Sequence, residues 1–366
     1  MTDLKNLFLF ERHLENGAKF IPFAGWNMPV SYGSALEEHL GVRNKVRLFD
    51  VSHMGEIKVS GPDATEFLNY ALTNDLNKCS IGQAQYSLLC RDDGGTLDDL
   101  LVYRRDENEY LLCVNASNES KDFDSLLEIS QRFSCLVENL SIEYGQLALQ
   151  GPLAESILSD LFGTDFSELP KFKFIEGDWM GGEAIISRTG YTGADGFEIY
   201  CPTPELNKWF DAFDDLQVRW AGLAARDSLR LEAGYPLYGH ELSPTISPVQ
   251  AKLTWAVGWA KTDFSGCLAL KSEKESSPKG MVLHYVVEDR RIPRQGCQIL
   301  DPFGNEAGIV LSGGFSPLLS KPIGSALVDT NKIDKIEKVG WKVLLRENQL
   351  PIEFGPPALK RSSAKK

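Results

Sequence analysis

The stretch YSLLCRDDGGTLDDLLVYR (residues 86–104) decides how the chain is read. Two apolar, β-prone runs flank Asp92-Asp93-Gly94-Gly95, and glycines in such a tetrapeptide supply the positive φ angles of a tight reversal, so the spacing predicts a β-hairpin. The second strand opens on two carboxylates. Side chains alternate along a strand, which places Leu97, Asp99, Leu101 and Tyr103 on one face and Thr96, Asp98, Leu100, Val102 and Arg104 on the other. Asp99 is thereby expected on the more apolar face, where a carboxylate is either desolvated or opens onto a cleft, as catalytic acids and bases do. Two aspartates beside a turn can equally cap the hairpin end in solvent.

Working outward, strands alternate with helices. GEIKVSGPDATEFLNYAL (55–72) reads as strand, Gly-Pro and helix, with Pro62 at the first helical position, and QLALQGPLAESILSDLF (146–162) repeats that order. GPDATEFL (61–68) and GPLAESIL (151–158) share Gly, Pro and the closing Leu at identical offsets. This is either the trace of a duplication or the common use of Gly-Pro to open helices. The strand runs alternate rather than staying apolar throughout, the pattern of α+β layers. YLLCVN (110–115) adds a strand able to pair with the hairpin, and Asn115 at its end can meet a ligand or merely turn the chain. Residues 118–133 predict a helix with Phe123, Leu126, Leu127 and Ile129 toward the core. Ahead of the hairpin, FAGWNMP (23–29) is expected to be a loop whose Phe23, Trp26 and Met28 either pack inside or line a cleft. Ser34 then caps a helix with Leu36, Leu40 and Val46 on one face.

Downstream, SRTGYTGADGFEIY (187–200) combines a glycine-rich loop with a strand that puts Glu198 and Tyr200 on one face and Phe197 and Ile199 on the other. It lacks the order of a phosphate-binding loop and opens a strand rather than a helix. Its reading is a specificity loop delivering a carboxylate and tyrosines. In AGLAARDSLRLEAG (221–234), Arg226 and Arg230 lie one helical turn apart, and pairing with Asp227 or Glu232 would account for both on a solvated face. From about Lys279 onward, short strands follow one another at the spacing of an antiparallel barrel or sandwich, after SEKESSPKG of linker composition. The expected division is 1–275 and 276–366, with KRSSAKK as a frayed tail.

The chain has 366 residues, a formal charge of -13 and 43% hydrophobic content, a composition that argues against nucleic acid or an anionic membrane surface as its main partner. No apolar run reaches membrane-spanning length and the first residues carry neither a signal nor a transit pattern, so the expected location is cytoplasmic. Seven cysteines without C-x-x-C pairs fit a reducing compartment and are expected to be buried and structural. Metal-ligand spacings are absent.

FAGWNMP, FDVSHMGE, GGTLDDLLVY, SRTGYTGADGFE, GLAARDSLRLEAG, LYGHEL and SGGFSP occur in an order and at spacings that resemble the aminomethyltransferase (T-protein) family of the glycine cleavage system. The resemblance covers nearly the whole chain. It implies a three-domain cloverleaf in which two interleaved α+β units surround a folate cavity and a C-terminal antiparallel β-barrel completes the fold. The implied reaction carries the aminomethyl carbon from the lipoyl arm of H-protein to tetrahydrofolate, giving 5,10-methylenetetrahydrofolate and ammonia, with lipoylated H-protein as partner and no metal. By the same resemblance Asp99 is the catalytic carboxylate and Glu198 the folate-binding glutamate. Arg226, Tyr86, Met54, Asn115 and Tyr191 fall on further cavity positions. Competing relatives fit less well: the K-G-C-[FY]-x-G-Q-E block of an iron-sulfur assembly paralogue is replaced by Ser265-Gly266-Cys267-Leu268, and the flavin fingerprint of fused sarcosine and dimethylglycine dehydrogenases is missing. A folate-dependent demethylase would use the same cavity, whereas a non-enzymatic folate binder would have no use for Asp99.

Overall fold

The computed structural model describes residues 4–333 and 340–363. Its first strands, β1 (Lys5–Asn6), β2 (Lys19–Phe23) and β3 (Trp26–Ser31), form a small sheet with β3 in the middle, and α1 (Phe10–Glu15) lies between β1 and β2 in the chain. FAGWNMP is therefore not a loop. Ala24 and Gly25, at φ 49° and 82°, make a tight turn, and Pro29 sits beside a register shift between the two strands it joins.

Next come α2 (Ala35–Asn44), β4 (Arg47–Asp50), β5 (Gly55–Ser60), α3 (Ala64–Ala71), β6 (Gln83–Cys90), β7 (Thr96–Asp106), β8 (Glu109–Val114), α4 (Glu119–Ser130) and β9 (Leu136–Asn139). They lead to β10 (Tyr144–Gln150), α5 (Ala154–Phe162), β11 (Phe174–Trp179), β12 (Gly182–Ser187), β13 (Gly196–Pro202), α6 (Leu206–Asp215) and α7 (Leu223–Ala233). Two five-stranded sheets result, ordered β6-β7-β8-β5-β9 and β11-β12-β13-β10-β4. Each is a three-strand meander whose last strand pairs with the strand that precedes the meander in the chain. The outer place held by β9 in one sheet is taken by β4 in the other, so the chain starts the second sheet, builds the first, and then returns. The two α+β units are interleaved in this sense.

The Gly-Pro repeat survives at the level of single hydrogen bonds. Gly61 and Gly151 both take positive φ, 124° and 136°, and each carbonyl accepts from the amide three residues on, Ala64 and Ala154, at 3.0 Å. Both helices begin at that alanine, so Pro62 lies in the turn ahead of α3 rather than at its first position. Ser34 caps α2 as read, its hydroxyl accepting from the Glu37 amide at 3.3 Å. The helix turns the other way, however: Leu36 and Leu40 are 50% and 39% exposed, and Glu38, His39 and Val42 are buried. Glu38 goes inside because its two oxygens accept from the amides of Tyr32 (2.7 Å) and Gly222 (2.9 Å). In α4 Leu126 is buried as expected, whereas Leu127 is exposed and Asp122 buried.

Contacts divide the chain into two units, one drawn from Met1–Asn69, Leu76–Tyr86 and Leu100–Arg226, the other from Tyr70–Asp75, Ser87–Asp99 and Asp227–Lys366. The 86–104 hairpin, whose Ser87–Asp99 part belongs to the second unit, turns where its sequence says. Gly94 has φ 84°, the Arg91 amide donates to the Gly95 carbonyl at 2.8 Å, and a Cβ on Gly95 would lie 2.1 Å from the Pro244 carbonyl. After α8 (Cys267–Ser276) come β14 (Gly280–Val287), β15 (Gln298–Leu300), β16 (Glu306–Ser316), β17 (Lys321–Asp329), α9 (Thr330–Ile333), β18 (Lys342–Leu345) and β19 (Asn348–Gly355). These strands close an antiparallel barrel in the order β14-β17-β16-β15-β18-β19, and its core includes Tyr285, Val287, Ile299, Val310, Ala326, Trp341 and Val343. The last apolar run, 341–354, splits into two strands at Arg346, which has φ 56°. Residues 364–366 of the tail lie outside the described residues, and Ala358–Ser363 ahead of them is helix α10 rather than frayed chain.

The repeat yields a test. A Cβ at Gly151 would lie 2.3 Å from the Lys45 carbonyl in addition to the φ strain, whereas Gly163, at φ 62°, has nothing within 4 Å. Gly151→Ala should cost roughly 3 kcal/mol or more in urea unfolding, and Gly163→Ala only about 1 kcal/mol.

Candidate functional site

The polar interior of the first unit is built by cross-strand register. β10 pairs with β13 so that Gln146 faces Tyr200 and Ala148 faces Glu198, and Ser187 of β12 lies opposite Glu198 on the other side. Phe197 and Ile199 point into the apolar core with Trp209 and Phe210, while Tyr200 packs with Tyr103, Cys113, Phe174 and Ile185. The alternation read from GFEIY is thus realised. Met54 packs against that same second cluster.

Glu198 is 5% exposed. Its Oε1 accepts from Gln146 Nε2 at 3.3 Å, and its Oε2 has no hydrogen-bond partner among the described residues. Burial raises its pKa above the ordinary carboxylate value, with the charge of Arg226 pulling the other way. Arg226, on α7, leaves Nη1 buried and likewise without a partner among the described residues, and its guanidinium lies 4.7 Å from the centre of the Tyr191 ring. The site therefore contains an unsatisfied acceptor, an unsatisfied donor and an aromatic face. The charge of Arg226 also helps burial push His53 down to about 3, so that this histidine is neutral at physiological pH.

The loop carrying Tyr191 is fixed from several sides. Arg188 Nε donates to Asp195 at 3.1 Å and its Nη2 to Glu155 at 2.7 Å, Gln150 holds the Thr189 carbonyl and the Thr192 hydroxyl, and Arg43 donates to the Thr192 carbonyl. Behind Glu198 the tyrosine hydroxyls of Tyr200 and Tyr103 meet at 2.9 Å, Tyr103 reaches Thr189 at 3.3 Å, and Thr189 donates to Ser187 at 3.1 Å. Burial keeps both phenols, and the thiol of Cys113, protonated.

The remaining candidates lie as follows. Tyr86 is half-buried on β6 and Asn115 half-buried just beyond β8, its carbonyl accepting from the Asn118 amide at 2.8 Å. Asp99 is half-buried on β7 and belongs to the second unit. Near the turn the deeper burial is on the Asp98 face, where Thr96, Asp98, Leu100 and Val102 are buried, Asp98 completely, while Leu97, Asp99 and Leu101 are partly covered; further along, Tyr103 on the Asp99 face is fully buried and Arg104 on the other only partly. Arg230 does not share a solvated face with Arg226. It is 2% exposed and pairs with Asp227 (2.9 Å) and Glu241 (3.1 Å), and Glu232 takes the Ser316 hydroxyl and the Leu318 amide instead. Of the cysteines, Cys135 and Cys297 are half-buried and the other five buried. Sequence reasoning missed Gln146, Tyr103 and His53. The GQLALQ alternation puts Gln146 on the inner face with Ala148, which was the available signal.

The architecture is of one class: two α+β sheets sharing an interleaved chain, with a buried carboxylate and an arginine each keeping one buried polar atom without a partner among the described residues, followed in sequence by a closed antiparallel barrel. The profile of the GCVT N-terminal domain matches residues 9–261, and that of the glycine cleavage T-protein C-terminal barrel domain matches 281–355. The chain is 45% identical to an aminomethyltransferase of Lysinibacillus sphaericus over 90% of this chain and 91% of that one. It is 45% identical to one of Listeria monocytogenes serotype 4b over 99% and 100% respectively. The crystal structure of the glycine cleavage system aminomethyltransferase T from Bartonella henselae superimposes with a TM-score of 0.90 at 38% identity, covering 97% of this chain and 98% of that one. The chain belongs to the glycine cleavage T-protein family and is an aminomethyltransferase. No described helix is long and apolar enough to cross a membrane.

The raised pKa of Glu198 fixes a sign. A carboxyl whose folded pKa lies above its unfolded one adds stability below the ordinary carboxylate range and loses it as pH rises through the folded value. Glu198→Gln should therefore raise the urea midpoint of the ligand-free protein at pH 8, with the gain shrinking toward pH 4.

Proposed function

We propose that this aminomethyltransferase carries the aminomethyl carbon from the lipoyl arm of H-protein to tetrahydrofolate, giving 5,10-methylenetetrahydrofolate and ammonia in glycine degradation. The observation that carries this reading is the pair of buried, unpartnered atoms of opposite polarity, Glu198 Oε2 and Arg226 Nη1, beside Tyr191. A pterin edge offers adjacent N–H donors, which a carboxylate accepts, and a carbonyl that an arginine can reach. The planar ring system suits an aromatic neighbour. Met54, Tyr86 and Asn115 are proposed to line the remainder of the folate site.

In the transfer, the carbon's bonds to sulfur and to the departing amine are replaced by bonds to N5 and N10 of the folate. The two protons lost from N5 and N10 leave with the thiol and ammonia, so the step balances without an oxidant. Asp99 is proposed to act at N10, accepting that amine's proton and stabilising the positive charge that develops on the carbon. A half-buried carboxylate on a strand has the freedom to exchange that proton.

The reading is tested by measuring ammonia release from aminomethylated H-protein with and without tetrahydrofolate. The expected result is ammonia and methylenetetrahydrofolate formed one for one, and release indifferent to tetrahydrofolate would reject it. Asp99→Asn should lower kcat by about 10²–10⁴-fold with little change in tetrahydrofolate affinity. Asp98→Asn, which alters a fully buried carboxyl, should lower the melting temperature more than kcat. Equal, small effects of the two on kcat would sink the assignment. Glu198→Gln turns one acceptor into a donor facing a donor and should weaken tetrahydrofolate binding by about 1–3 kcal/mol in a fluorescence titration.

A further inference from the structure

The side chain of Gln146 is held at both ends of its amide. Its Nε2 donates to Glu198 Oε1 at 3.3 Å and to the Tyr200 hydroxyl at 2.9 Å, and its Oε1 accepts from Cys113 Sγ at 3.7 Å. An amide nitrogen carries two protons, so both are committed, and the thiol on the carbonyl side fixes which end of the amide faces Glu198. The protons then run in one direction. Tyr200, having accepted from Gln146, is free to donate to Tyr103, Tyr103 to Thr189, and Thr189 donates to Ser187. A flipped amide would set its carbonyl against the carboxylate and leave the thiol and phenol without an acceptor and a donor.

The structural repeat shows that this is not simply what the fold requires at that point. Counting back from Gly61 and Gly151, Glu56 of β5 stands where Gln146 stands in β10, and Cys113, its cross-strand partner, stands where Tyr200 does. Glu56 is 1% exposed, and neither of its carboxyl oxygens has a partner among the described residues. The same backbone position thus carries an unsatisfied acid in one repeat and an amide hydrogen-bonded at both ends in the other, and only the amide touches Glu198.

We infer that Gln146 is a positioning residue for ligand binding: it holds Oε1 of Glu198, leaves Oε2 as the oxygen presented to the ligand, and keeps the carboxylate from closing onto Arg226. Without that hold, Glu198 and Arg226 would satisfy each other and the site would be filled by its own residues. This inference rests on the proposed tetrahydrofolate site, and Gln146 itself touches no reacting atom.

The test is a double-mutant cycle with Gln146→Met, Glu198→Leu and the double variant in the full-length protein. It reads tetrahydrofolate affinity by fluorescence and steady-state KM and kcat with aminomethylated H-protein. Gln146→Met keeps side-chain length and should weaken tetrahydrofolate binding by about 5–50-fold, the loss of one or two buried hydrogen bonds, raising KM for tetrahydrofolate with kcat within about threefold. In the Glu198→Leu background the same change should have almost no further effect on affinity. If Gln146→Met fails to fold, Gln146→Leu, which likewise has no donor for Glu198, carries the same expectation. Unchanged affinity in Gln146→Met alongside weakened affinity in Glu198→Leu overturns this inference alone. Equal losses in both backgrounds overturn it too, because they mark a purely structural role. Unchanged affinity in Glu198→Leu removes the folate site on which it stands.

Discussion

A carboxylate moved from water into a protein interior must be neutralised, paired or hydrogen-bonded, and the first unit of this protein does none of these completely for Glu198. One oxygen accepts a hydrogen bond from Gln146 and the other accepts none among the described residues. Arg226 is close enough to influence its ionisation yet makes no hydrogen bond to it. Such an arrangement survives only if its surroundings hold it open, and the chain of protonated phenols, hydroxyls and a thiol behind it does that. On the proposed function, the stability given up at this point is restored when the folate binds.

The scaffold that pins these groups is two copies of one idea. A strand, a tight glycine-led turn and a helix are followed by a three-strand meander that returns to the first strand, and the final position of each sheet is supplied from elsewhere in the chain. Because β4 and β10 belong to one sheet while the whole of the other lies between them in sequence, the sheet that carries Glu198 cannot form from a contiguous segment. Glu198 is the product of that interleaving. It sits on β13, held by Gln146 of β10, whose amide is fixed by Cys113 of β8 in the other sheet.

Much of this was legible in the chain. The turn tetrapeptide at 92–95, the two Gly-Pro openings, the alternation that sets Glu198 and Tyr200 against Phe197 and Ile199, and the short strands of the barrel all act through local rules of backbone and side-chain direction. What was hidden depends on partners distant in sequence. The burial of Glu38 is decided by amides of Tyr32 and Gly222, and Arg230 turns inward to Glu241 and Ser312 rather than outward to a helix neighbour. Trp26–Ser31 was hidden for a different reason: Ala24 adopts a positive φ that favours glycine, and proline in a strand is tolerated there beside a register shift. Strand alternation correctly separated Asp98 from Asp99. It could not say which face the rest of the fold would cover more deeply beside the turn, and there that face carries Asp98.

The most direct measurement is a crystal structure of the protein with tetrahydrofolate bound. The account predicts the amino-pyrimidinone edge of the pterin within hydrogen-bond distance of Glu198 Oε2, with Gln146 Nε2 still on Oε1 and Arg226 Nη1 turned to the ligand. A pterin bound elsewhere, with Glu198 and Arg226 joined directly as an ion pair, would contradict it.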